Sequence, residues 1–78
     1  MKPSKENVRP LLVRMLKSGQ LCEDGPISLF LEEDHRTWRS HRQQLVVSIR
    51  GDAVFVRYSR LPFARPLVYS LQDLKSQS

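Results

Sequence analysis

The chain has 78 residues, 40% of them apolar and 27% charged, with a net charge of +5 and a sequence pI of about 10.0. That length makes one domain with a small core, and the composition fits a folded chain and excludes a disordered one. The basic balance favours an anionic partner, such as nucleic acid, an acidic protein surface or anionic lipid.

The first element in chain order is a helix. Val8, Leu11, Leu12, Met15 and Leu16 fall at offsets of 0, 3, 4, 7 and 8, one apolar face of an amphipathic helix. Asn7 is the expected N-cap, which places Pro10 at the third helical position, where its missing N–H costs no intrahelical bond. A cap at Ser4 would put Pro10 in the interior and break one. Gly19 supplies the C-terminal stop, with Lys17 near the negative end of the dipole.

Glu23-Asp24-Gly25-Pro26 reads as a turn. Residues 27–31 stay open between two patterns. Ile27, Leu29 and Leu31 alternate as a strand would, whereas Ile27, Phe30, Leu31 and Trp38 fit a helix. Glu32-Glu33-Asp34 then precede Arg36, Arg39 and Arg42. Acids first and bases last is the polarity a helix prefers, so a second helix is expected over residues 34–43.

The clearest element is a β-hairpin. Residues 44–50 and 53–59 are rich in β-branched and aromatic side chains. Gly51-Asp52 between them fits a two-residue type II′ turn with glycine first. That register pairs Leu45 with Tyr58, Val47 with Val56 and Ile49 with Val54, and puts all six on one face. The other face carries Val46, Ser48, Arg50, Phe55, Arg57 and Ser59. A third strand is expected over residues 67–71, after the proline-stiffened link of residues 61–66. The expected fold is α+β: an N-terminal amphipathic helix and a shorter second helix packed on a three-stranded antiparallel sheet. It forms a single domain over residues 1–78, with flexible tails at 1–6 and 72–78.

Lone Cys22 leaves no internal disulfide and suits a reducing compartment. No apolar run is long enough to span a bilayer, and residues 1–7 lack the apolar core of a signal peptide. A cytoplasmic protein is therefore expected, without a membrane partner.

The chemistry gathers in arginine. Between His35 and Arg65 lie seven arginines (Arg36, Arg39, Arg42, Arg50, Arg57, Arg60 and Arg65), a single acid, Asp52, and no lysine. Guanidinium groups present a rigid fork of donors and stack on flat rings, which suits phosphates, bases and carboxylates. On the expected helix Arg36, Arg39 and Arg42 share a flank. Phe55, with Arg50 and Arg57 beside it, has the makings of a stacking platform for an unpaired base. Trp38 is a core anchor or, if exposed, an interface hot spot; Phe63 beside Arg60 and Arg65 has the same two readings.

Residues 35–44 followed by 45–58 resemble the last helix and wing of a winged helix-turn-helix domain. The resemblance implies a winged-helix-like arrangement in which Arg39 or Arg42 forks onto guanine in the major groove and Arg50 or Arg57 meets phosphate. Residues 50–58 resemble the octamer signature of RNA-recognition motifs only with one inserted residue, which would send the aromatics to opposite faces. Arg50-Gly51-Asp52 spells an adhesion tripeptide, but turn geometry already explains the Gly-Asp pair.

No metal is expected, since His35 and His41 are six apart and no second cysteine joins them. No nucleophile constellation or glycine-rich phosphate loop stands out, and no cofactor or small-molecule substrate is expected. The expected function is a small non-enzymatic basic regulator of transcription that binds nucleic acid, most plausibly DNA. Its site residues are Arg36, Arg39, Arg42, Arg50, Arg57, Phe55 and Trp38. The alternative is a phage- or plasmid-type interaction protein that inhibits a host machine such as RNA polymerase through an acidic patch on that partner.

Overall fold

A computed structural model describes residues 5–25, 27–40, 44–58 and 65–76. In chain order the elements are α1 (Lys5–Lys17), β1 (Leu21–Asp24), β2 (Ile27–Leu31), β3 (Thr37–Ser40), β4 (Leu45–Arg50), β5 (Ala53–Tyr58), β6 (Leu67–Ser70) and α2 (Leu71–Ser76). The six strands form one antiparallel sheet whose spatial order is the chain order, β1-β2-β3-β4-β5-β6. This overturns the expected three-stranded sheet, and with it the second helix over 34–43 and the winged-helix arrangement.

Alternation across the register divides the sheet into two faces. One carries Cys22, Leu29, Trp38, Leu45, Val47, Val54, Val56 and Tyr69, all buried. Val8, Leu11, Leu12 and Met15 of α1 and Leu74 of α2 complete that core. Both helices therefore cover the same face, and the molecule has two layers. Tyr58 and Tyr69 lie at this interface. Burial pushes both phenols up; at Tyr69 the neighbouring Tyr58 adds to the rise and Arg9 opposes it.

Helix α1 buries the expected face, but it begins at Lys5, so Pro10 lies inside it and not in its first turn. The cost is one missing donor toward the Glu6 carbonyl, on a ring that is itself exposed. At the other end the Ser18 N–H bonds the Met15 carbonyl at 3.0 Å and the Ser18 hydroxyl donates to the Arg14 carbonyl at 3.0 Å. The helix thus ends at Lys17, two residues before Gly19.

β1 takes in part of what was read as a turn, β2 resolves the open residues 27–31 as strand, and β3 replaces part of the expected helix. β1 and β2 form a hairpin about Gly25, whose φ of 59° favours glycine. The acids of residues 32–34 do not start a helix. The Asp34 carboxylate accepts from the backbone N–H groups of Arg36 (2.8 Å) and Thr37 (2.9 Å), and from the Thr37 hydroxyl (2.7 Å). Those bonds, the Arg36 N–H first, hold its carboxyl below the usual aspartate range. His35 takes a left-handed φ of 58°, and the Glu32 N–H bonds the Thr37 carbonyl at 2.8 Å. The result is a turn joining β2 to β3, built on the local hydrogen-bonding habit of aspartate.

The hairpin β4–β5 matches expectation in register: Leu45 with Tyr58, Val47 with Val56, Ile49 with Val54. Gly51 has φ 59° while Asp52 is not in the left-handed region, the signature of type II′. β6 forms where a third strand was read. The chain then enters α2, through the stretch expected as a tail. The Ser70 hydroxyl accepts from the Asp73 N–H at 3.4 Å, an N-cap. The Leu71 N–H bonds the Asp52 carbonyl at 2.8 Å, tying α2 to the β4–β5 turn.

Candidate functional site

The second face of the sheet is covered by neither helix. Register places two cross-strand rows on it. The first is Leu21, Phe30, Arg39, Val46 and Arg57, one residue from each of β1 to β5. The second is Thr37, Ser48, Phe55 and Val68, from β3 to β6. Glu23 and Ser28 flank the first row, and Arg50, Ala53 and Ser70 flank the second. Leu21, Phe30 and Val68 are the large apolar residues most exposed among those described, at 44%, 45% and 45%. Phe55 is half-buried between its neighbours, and Arg39, Arg50 and Arg57 are exposed.

Sequence alternation places these groups together. Phe30 falls between Leu29, in the core, and Leu31, partly buried against it, so a strand there must turn its ring to the other face. Arg39 follows Trp38 on β3 and lies opposite Phe30 in the register. Facing positions put their Cβ atoms ~5 Å apart, close enough for ring and guanidinium to meet one ligand. Arg57 and Arg50 come from the β4–β5 hairpin, on the side predicted.

Electrostatics across the face are uneven. Arg39 Nε meets Glu32 Oε1 at 2.6 Å, both half-exposed. That contact leaves the two terminal nitrogens of the guanidinium outside it, and at such exposure it contributes under ~1 kcal/mol. Among the described residues no carboxylate pairs with Arg50 or Arg57. The β1–β2 flank carries Glu23 and Glu32, while the β4–β5 strip is basic. A phosphate-bearing ligand is therefore drawn toward β4 and β5.

The expected helical trio does not exist as a unit. Arg39 joins the open face. Arg36 is exposed in the turn before β3, where its carbonyl accepts from the Ile49 N–H at 2.8 Å. Arg42 lies outside the described residues, as do His41, Arg60 and Phe63. Trp38 is 4% exposed within the core, on the opposite side of β3 from Arg39. It therefore anchors the helices and cannot meet a ligand on this face. Of the seven residues expected at the site, Arg39, Arg50, Arg57 and Phe55 come together.

Phe30, with Leu21 opposite it on β1, was missed, as was Val68 on β6. The alternation of Ile27, Leu29 and Leu31 was the signal that would have found it, once the strand pattern was preferred to the helical one. Comparison of the chain with protein-family models, with curated proteins and with solved structures finds no match.

Proposed function

We propose that the protein is a small, non-enzymatic cytoplasmic regulator that binds nucleic acid in transcription control, using the open face of its sheet. The observation that carries this reading is the convergence of Arg39, Arg50 and Arg57 with Phe30 and Phe55 on the one face of the sheet that neither helix covers. Three guanidinium groups serve for phosphate contact and the rings for apolar contact with bases. The role first assigned to a helix in the major groove passes to the sheet, because residues 37–40 are strand.

The test is a titration with nucleic acid at several salt concentrations. Three phosphate contacts give a slope of about −2.1 to −2.7 in log K against log salt, so affinity falls roughly 20- to 40-fold between 50 and 200 mM. Absence of detectable binding at ~50 mM salt would sink the reading.

The apolar character of Leu21, Phe30 and Val68 favours a second reading, a phage- or plasmid-type inhibitor docked on an acidic patch of a host machine such as RNA polymerase. Affinity capture from a bacterial lysate tests it. A stoichiometric partner released by salt, together with no nucleic-acid binding, would select this reading over the first.

A further inference from the structure

We propose that two copies of the chain join edge to edge through β6, pairing antiparallel about Val68 so that their sheets run on as one. The inference stands apart from the nucleic-acid reading above.

Strand order leaves two edges, β1 and β6. An edge strand presents a row of N–H and C=O groups to any chain that can match them. β1 is guarded. It carries Glu23 and Asp24, the latter held by Arg14 at 2.9 Å, and self-pairing would bring those acids against their copies. β6 runs Leu67-Val68-Tyr69-Ser70 without a charge, and Val68 is 45% exposed. Among the described residues no strand lies beyond it.

Hydrogen-bond parity fixes which groups β6 turns outward. The two-residue turn at Gly51-Asp52 makes Arg50 and Ala53 a hydrogen-bonded pair, so residues 53, 55 and 57 of β5 bond β4. Val54 and Val56 then bond Tyr69 and Leu67. The Leu71 N–H on the Asp52 carbonyl, at 2.8 Å, continues that series. The N–H and C=O groups of Val68 and Ser70 therefore point away from the sheet, as does the Pro66 carbonyl. Pro66 falls where its missing N–H removes no bond to β5.

Antiparallel self-pairing places a two-fold axis perpendicular to the sheet, which keeps each residue on its own face. Centred on Val68, it sets Val68 opposite its copy, Leu67 opposite Tyr69 and Pro66 opposite Ser70. The two Val68 residues exchange N–H···O bonds, and each Ser70 N–H donates to the Pro66 carbonyl of the second copy. Every outward N–H of the strand is thereby used.

Charge selects a second copy as the partner. Arg65 precedes β6 and Asp73 follows it in the first turn of α2, both exposed. Among the described residues no carboxylate pairs with Arg65. Antiparallel pairing brings Arg65 of each copy opposite Leu71 of the other, beside Asp73. The strand is thus complementary to itself in charge as well as in hydrogen bonding. Both open faces then lie on the same side, and Arg39, Arg50 and Arg57 of the two copies share one continuous surface.

Sedimentation velocity over a range of concentrations reads the assembly, for wild type, Val68→Pro, Arg65→Asp, Asp73→Arg and the double charge swap. Circular dichroism checks that each keeps its fold. Wild type forms a dimer of about 18 kDa, twice the 9.1 kDa chain. Val68→Pro removes an N–H that points away from β5, so the sheet survives while two intermolecular bonds are lost, and dimerisation weakens about 5- to 150-fold. Arg65→Asp and Asp73→Arg each weaken it, and the double swap recovers it. The charge swap alone carries the test should Val68→Pro lose its fold. A wild type still monomeric at ~1 mM, an open series of larger species, or full dimerisation in a folded Val68→Pro overturns the proposal. A double swap no tighter than its single variants overturns the register about Val68.

Discussion

Leu74→Ala puts the C-terminal helix to the test. α2 has six residues and one fully buried side chain, Leu74, at 1% exposure. A helix this short has no stability of its own and persists only through docking. Removing the leucine loses its transfer free energy and leaves a cavity, a combined cost of about 2–5 kcal/mol across core leucines. Because α2 is a single short helix, it can settle into the gap, which selects the lower half of that range, about 2–3 kcal/mol. A 78-residue domain holds roughly 4–12 kcal/mol in total. The substitution therefore takes about a sixth or more of the stability. At about 4–8 °C per kcal/mol for a domain of this size, Tm falls by at least about 8 °C. Urea unfolding followed by Trp38 fluorescence, with thermal circular dichroism, measures both. Gln72→Ala on the exposed side of the same helix is the control and stays within about 0.5 kcal/mol. A Leu74→Ala shift no larger than the control would refute the docking of α2 and return residues 72–76 to a frayed tail.

Trp38 is the single tryptophan and is buried, so its emission is blue-shifted, resists acrylamide quenching and does not respond to ligand on the open face; a red-shifted, readily quenched spectrum would contradict its place in the core. Gly51→Ala meets no neighbouring atom but must hold φ 59°, so it destabilises by about 1 kcal/mol or more in urea unfolding, and an unchanged midpoint would exclude the II′ turn. The Asp34 carboxyl titrates below the ordinary aspartate value of about 3.9 because the Arg36 and Thr37 groups favour its charged form. Its contribution to the β2–β3 turn is thus fully present above that value and lost as pH falls through the lowered folded pKa. NMR titration of the side chain reads this, and a midpoint at or above the reference contradicts it. Glu32→Gln frees Arg39 from its carboxylate and tightens nucleic-acid binding about two- to five-fold; weaker binding would show that the pair positions Arg39 for its ligand.

The β4–β5 hairpin was legible because two signals agreed, a long alternating pattern and a Gly-Asp turn. β1 was not, because only Cys22 of its four residues is buried and Glu23-Asp24 reads as loop. The acid-to-base gradient of residues 32–42 suits a helix and equally a turn, and Asp34 decides for the turn by spending its oxygens on Arg36 and Thr37. Thr37 and Trp38 favour strand, but four residues are too few for periodicity to show it. α2 hid for a similar reason, having one buried side chain in six residues. At the surface, Arg50, Arg57 and Phe55 followed from the hairpin register. Arg39 was selected on a helical argument and belongs to the site on a different one. Phe30 depended on a choice between strand and helix that only pairing to β3 resolves.

The order of strands in space has a kinetic consequence. Each strand pairs with its neighbour along the chain, so sheet assembly proceeds by closing short loops, each of small entropic cost. Such a meander has a low contact order for a β-rich protein and belongs toward the faster end of that class. The packing of α1 against α2 is the exception, since it joins the two ends of the chain. That closure spans most of the chain and so carries the largest loop-closing cost in the fold, and with it the two helices seal one face of the sheet.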